Sequence, residues 1–162
     1  MWIAVSVIPD AVSGETGILS PLRVLLVEDD DDGRDFFAFV LSRWGATVTA
    51  VGSAADALDA FDQSCPDVLV SDIGLPGEDG CELLRRVREF DDARSRVPAV
   101  AVTAFSDDDT RARVVEAGYQ AHLDKPVEPD RLVAVIAGIV SLALTVLQLL
   151  GVATPFSHVF GT

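Results

Sequence analysis

The chain has 162 residues, with 12 Lys and Arg against 26 Asp and Glu and a formal net charge of −14. That length suits one compact domain with extensions, and a hydrophobic fraction of 49% supports a buried core, which excludes global disorder. The acidic balance argues against a nucleic-acid surface, because phosphate backbones need a basic stripe, and it disfavours attraction to anionic lipid. A metal cation or a basic partner fits it better. Cys65 and Cys81 are the only cysteines. Two thiols make neither a disulfide framework nor a zinc site, and they read as reduced thiols of a cytoplasmic protein.

The charge is unevenly placed. Every Asp, Glu, Lys and Arg lies between Asp10 and Arg131, and residues 132–162 carry no formal charge.

The first twenty residues read as an extension or linker, with a short apolar run at Trp2–Ile8 that can form a strand. No Lys or Arg precedes that run, so it makes a poor secretory signal. From Leu22 strands and helices alternate. Val24–Val27 is an apolar run of the buried-strand type. Asp35–Trp44 has helical spacing and stops at Gly45. Ala46–Val51 alternates as a strand. Ser53 reads as an N-cap for a helix reaching Gln63. Asp67–Val70 is a third strand, followed by a loop at Gly74–Gly77. Cys81–Phe90 is helical, and Val97–Val102 is a fourth strand. Ser106 reads as the cap of a helix to Ala117, closed by Gly118. Ala121–Leu123 is a fifth strand, and Pro129 opens a last helix at its first turn.

Five β-α repeats with short connections predict an α/β fold, a doubly wound parallel sheet of five strands with helices on both faces. Ligands of such sheets sit at the carboxyl ends of the strands. The residues found there are Glu28 and Asp29, Asp72, Thr103 and Lys125. Converging carboxylates repel unless a cation intervenes, and a hard divalent ion such as Mg²⁺ suits oxygen ligands. A lysine beside them can pair with an incoming anion. Carboxylates, cation, hydroxyl and lysine together suit phosphoryl chemistry, with one carboxylate as nucleophile.

Four stretches resemble the receiver domains of two-component response regulators: Val24–Asp29, Pro66–Gly77, Ala101–Ala104 and Leu123–Pro126. The resemblance covers Leu22 to Ala137. Its texture is closest to receivers of hybrid histidine kinases, notably at Ala121–Pro129. It implies a (βα)5 fold of flavodoxin-like strand order 2-1-3-4-5, with the receiver at 21–137, an N-terminal extension at 1–20 and an apolar helical extension at 138–162. It implies that Asp72 is the phosphoacceptor. Glu28, Asp29 and Asp72, with the backbone carbonyl of Gly74, would hold Mg²⁺. Thr103, Ala104 and Lys125 would receive the phosphoryl group, and the Lys125–Pro126 bond would be cis. The family often has Tyr or Phe three residues before the lysine as a swinging partner of the threonine. Here that residue is His122, which becomes the candidate switch. The implied partner is a histidine kinase or phosphotransfer protein. The implied output is a shift of the face formed by the Ser106–Ala117 helix, the Ala121–Leu123 strand and the last helix. The protein would then be a signalling phosphoacceptor and not a metabolic enzyme.

Two other readings stand beside this one. Asp30-Asp31-Asp32-Gly33 also looks like the start of haloacid-dehalogenase-type phosphatases, with Thr103 and Lys125 as partners, but it leaves Asp72 idle. Residues 132–153 are long and apolar enough to cross a bilayer. They suit a membrane-associated or self-associating module in which phosphorylation is vestigial, with a homodimer through the last helix or tail. Ala134, Gly138, Ser141, Thr145 and Gln148 repeat at spacings that place them on one helical stripe, a narrow polar face in a soluble protein. No DNA-binding module is expected after the last helix. Asp30–Asp32 and Asp107–Asp109 otherwise read as solvated helix starts, and Arg85, Arg86 and Arg88 as an exposed helix face.

Overall fold

The computed structural model describes residues 3–5 and 17–152. Its elements in chain order are β1 (Ile3–Val5), β2 (Arg23–Val27), α1 (Asp31–Arg43), β3 (Thr47–Val51), α2 (Ala54–Ser64), β4 (Val68–Asp72), α3 (Gly80–Arg88), β5 (Ala99–Thr103), α4 (Asp108–Ala117), β6 (Ala121–Asp124) and α5 (Pro129–Leu150). The sheet runs β1-β3-β2-β4-β5-β6. The five strands β2–β6 are mutually parallel and in the expected 2-1-3-4-5 order. β1 adds an antiparallel strand at the β3 edge, with Ile3 opposite Ala50 and Val5 opposite Val48.

Alternation along each strand builds two cores. Val24 and Leu26 of β2, Val68 and Val70 of β4 and Val100 and Val102 of β5 join Phe37 and Leu41 of α1 and Leu132 and Ile136 of α5. Leu25, Val27, Leu69, Ala99 and Ala101 face the other way, against Phe61 of α2, Leu83 and Leu84 of α3 and Val114 of α4. Strands buried on both faces read as continuous apolar runs, which is why these were legible.

Helix starts differ from the expected ones where the first turn is polar. α1 begins four residues before its apolar spacing does, because Asp30 caps it by accepting the Gly33 N–H at 2.7 Å. Asp31 and Asp32 occupy its first turn, where the helix dipole favours negative charge. Asp107, one residue after the expected Ser106, caps α4 by accepting the Thr110 N–H at 2.8 Å. Ser53 caps α2 as expected. Asp79 and Glu82 form a capping box at α3. Gly80 sits so close to β4 that a Cβ there would stand 2.4 Å from the Asp72 carbonyl oxygen, so α3 starts directly against the strand end. Arg88 departs from the expected exposed face. Its guanidinium turns inward and donates to the carbonyls of Ser95, Val97 and Gly118 at 2.7–2.9 Å. This ties α3 to the end of α4.

α5 is one continuous helix. Pro129 stands at its start, and Gly151, in the left-handed region at φ 63°, closes it. Leu132, Val133, Ile136, Val140 and Leu147 are buried. Ala134, Gly138, Ser141, Thr145 and Gln148 are all exposed, as their stripe predicts. Leu142, Val146, Leu149 and Leu150 are exposed as well. Among the described residues this is the one helix long and apolar enough to cross a membrane, and a third of its most apolar window is buried against the domain.

This packing predicts a contrast along α5. Ile136→Ala, on the buried face, should cost about 2–5 kcal/mol of unfolding free energy in a urea titration. Leu149→Ala should cost less than about 0.5 kcal/mol. Equal losses at both positions would contradict the packing described.

Candidate functional site

Strand order places the chemistry. The chain leaves β3 on one side of β2 and continues to β4 on the other, so the carboxyl ends of β2 and β4 border a crevice. Glu28 and Asp29 follow β2, Asp72 ends β4, Thr103 ends β5 and Lys125 follows β6. All the expected strand-end residues therefore meet on one rim.

Lys125 organises that rim. Its Nζ donates to Glu28 Oε2 at 2.6 Å and to Asp72 Oδ2 at 2.9 Å. Glu28, Asp72 and Thr103 are buried, and Asp29 is exposed. Burial pushes the Glu28 carboxyl above its usual range, and the Asp72 charge adds to this against the opposing bond from Lys125. Burial alone would lower the Lys125 ammonium. Its bonds to Glu28 and Asp72 outweigh that and hold it above its ordinary value. The second Asp72 oxygen, Oδ1, accepts the Gly74 N–H at 2.9 Å. Both oxygens of Asp72 are thus oriented.

Carboxylate oxygens of Glu28, Asp29 and Asp72 lie within 4.8 Å of one another. Three hard oxygen donors at that spacing, with one still open to solvent, fit a Mg²⁺ ion. Thr103 accepts the Phe105 N–H at 3.0 Å, which leaves its own proton free to donate toward the site. Ala104 is exposed beside it. The Lys125–Pro126 peptide is cis, as is Ser20–Pro21.

His122 lies on β6, mostly buried. Its Nε2 is 3.3 Å from Asp124 Oδ1 but out of line for a hydrogen bond. Asp124 Oδ2 in turn lies 3.8 Å from Arg111 of α4. The side chain at the expected switch position therefore faces an acid that also answers to α4. Asp30 contributes its carboxylate to the α1 cap, which speaks against its use as a phosphatase nucleophile.

Two neighbours of the site escaped the sequence reading. Arg34 donates from Nη1 to the Glu28 carbonyl at 2.9 Å and pairs with Asp31, bracing the turn that carries Glu28 and Asp29. The Asp31-to-Arg34 spacing on a helix start was the available signal. The Phe105 ring lies over Gly74, where a Cβ would stand 3.1 Å from its edge and 3.7 Å from Asp72 Oδ1. Gly74 thus leaves room for an exposed aromatic ring beside the acid. No local pattern announces that contact.

Comparison with known proteins agrees with this geometry. Residues 24–137 match the family described as response regulator receiver domain. The chain is 36% identical over 117 residues to the transcriptional regulatory protein CseB of Streptomyces avermitilis, covering 72% of this chain and 48% of that protein. It is 34% identical over 116 residues to the sensory transduction protein RegX3 of Mycolicibacterium smegmatis, covering 72% of this chain and 49% of that one. The chain therefore spans about half the length of these curated relatives. A protein from Chloroflexus aurantiacus J-10-fl described as a response regulator superposes with a TM-score of 0.71 at 34% identity, covering 75% of this chain and 98% of that one. The receiver domain of a sensor histidine kinase from Pseudomonas aeruginosa PAO1, solved with magnesium coordinated in its active-site cleft, superposes with a TM-score of 0.69 at 27% identity, covering 74% and 98%. By sequence, strand order and the acids at its strand ends, the chain belongs to the response regulator receiver domains of two-component systems.

Proposed function

We propose that Asp72 accepts a phosphoryl group from a phosphohistidine of a partner kinase or phosphotransfer protein, within a receiver unit at 21–137. The observation that carries this is the pair of hydrogen bonds that Lys125 donates to Glu28 and Asp72, two members of a cluster of three carboxylates. Glu28, Asp29, Asp72 and the Gly74 carbonyl would hold Mg²⁺. Bound there, the ion supplies positive charge against the phosphoryl oxygens.

The residues of the chain do the rest. Asp72 Oδ2 forms the new bond to phosphorus as the bond to the donor nitrogen breaks and the imidazole leaves. Oδ1 stays held by the Gly74 N–H. Lys125 releases Asp72 and turns its ammonium to a phosphoryl oxygen, keeping Glu28 as its second partner. Thr103 donates its hydroxyl to another phosphoryl oxygen, and Ala104 leaves space for the group. Lys125 N–H is bonded to the Thr103 carbonyl at 2.9 Å, so displacement of Thr103 is felt on β6 and on the His122–Asp124–Arg111 contact. We assign His122 the role of passing that displacement to α4. The chain acts as a signalling phosphoacceptor that catalyses its own phosphoryl transfer.

Intact-mass spectrometry after exposure to acetyl phosphate tests the reading. Wild type should gain one phosphoryl adduct with Mg²⁺ and lose it when the ion is chelated. Asp72→Asn should gain none. An adduct that persists in a folded Asp72→Asn protein would move the acceptor elsewhere.

The metal ligands are tested separately. Asp29→Asn should lower Mg²⁺ affinity about tenfold or more by isothermal titration, with the urea midpoint little changed because Asp29 is exposed. Unaltered affinity would remove Asp29 from the ligand set.

A further inference from the structure

We propose that Tyr119 is a positioning residue for the acceptor site: through its hydroxyl it holds the turn at Gly74 that orients Asp72. The inference rests on Asp72 being the acceptor. Tyr119 stands in the connection between α4 and β6 and is 6% exposed. Its hydroxyl donates to the carbonyl of Gly80, the first residue of α3, at 2.6 Å.

A chain of backbone bonds leads from Gly80 to the acceptor. The Gly80 N–H donates to the Ile73 carbonyl at 3.0 Å, and the Leu75 N–H donates to the same oxygen at 2.9 Å. The second of these bonds closes a three-residue γ-turn with Gly74 at its centre. The Gly74 N–H in turn holds Asp72 Oδ1 at 2.9 Å, and the Gly74 carbonyl is the backbone ligand proposed for Mg²⁺. Gly80 has no slack against this turn, because a Cβ on it would stand 2.4 Å from the Asp72 carbonyl oxygen and 3.0 Å from Ile73 Cα. The buried Ser71 hydroxyl donates to that same Asp72 oxygen at 2.8 Å. A shift of Gly80 is therefore a shift of the turn that carries Gly74.

Tyr119 is itself held on both sides. The Gly118 carbonyl before it accepts from Arg88 Nη2 at 2.9 Å. Gln120 after it is bonded twice to Ala99 of β5: its N–H donates to the Ala99 carbonyl at 3.0 Å, and its Oε1 accepts the Ala99 N–H at 2.7 Å. The inward turn of Arg88 thus fixes the segment that presents the tyrosine. Burial pushes the Tyr119 hydroxyl far above its ordinary value, so it stays a donor. A phenylalanine ring would fill this core as well. The hydroxyl is the part that packing does not explain, since burying it is costly without a partner.

Tyr119→Phe keeps the ring and removes only the donor. Phe61→Leu, in the same core but on α2, loosens packing without touching the chain of bonds. Amide hydrogen exchange, read by NMR on protein without metal or phosphodonor, is the first measurement. Tyr119→Phe should speed exchange at Gly74 and Leu75 about tenfold, because these amides open locally. Phe61→Leu should leave both rates unchanged while lowering the urea midpoint at least as far. Isothermal titration is the second measurement: Mg²⁺ affinity should fall about fivefold in Tyr119→Phe and keep its wild-type value in Phe61→Leu. Unchanged exchange at Gly74, or unchanged Mg²⁺ affinity, overturns the proposal. Equally fast exchange in Phe61→Leu also overturns it, by making Tyr119 a packing residue only. A wild type that gains no phosphoryl group yet shows the expected exchange would overturn the role of Asp72 and keep Tyr119 as the residue that holds the turn.

Discussion

A single ammonium group makes the strand-end rim possible. Glu28 and Asp72 come from different strands and would face each other as like charges in a buried setting. Lys125, arriving from a third strand, donates to both at once and offsets part of that repulsion. The arrangement is stable only while that cation is present or is replaced by other positive charge. An arriving phosphoryl group and its accompanying cation therefore do not meet a vacant pocket. Lys125 already has partners there, so any new anion must draw it away from Glu28 or Asp72, and any new cation must compete with it for their oxygens.

Much of this was legible in the sequence for a physical reason. Strands buried on both faces appear as uninterrupted apolar runs, so β2, β4 and β5 were found within one or two residues, and the acids after them followed directly. Helix starts were less legible. The first turns of α1 and α4 are capped by Asp30 and Asp107, and a carboxylate run carries no apolar period to mark where the helix begins. Arg88 shows the opposite failure. A charged residue beside Arg85 and Arg86 reads as solvent-facing, yet three carbonyls left over from neighbouring turns draw it inward. The Phe105–Gly74 contact joins loops 31 residues apart in sequence, and no local pattern encodes such a meeting.

The distribution of charge divides the molecule by task. Acidic residues crowd the strand-end rim and the helix starts around it. From Leu132 onward α5 carries no formal charge. The first half of the helix packs on the sheet, and the second half keeps Leu147 buried while Leu142, Val146, Leu149 and Leu150 are exposed. This helix begins four residues after Lys125, so one short connection joins it to the site.

The two ends of the sheet add a constraint of a different kind. Its edge strands are its shortest, three residues in β1 and four in β6, while the four strands between them have five each. Short edges offer a stray strand too few backbone groups for a lasting ladder. β1 also occupies, in the reverse direction, the flank that β3 would otherwise present. Growth by adding sheet to sheet, the route toward fibrous aggregates, is blunted on both sides. The exposed apolar residues of α5 therefore sit in a molecule whose sheet edges give neighbouring copies little backbone to extend.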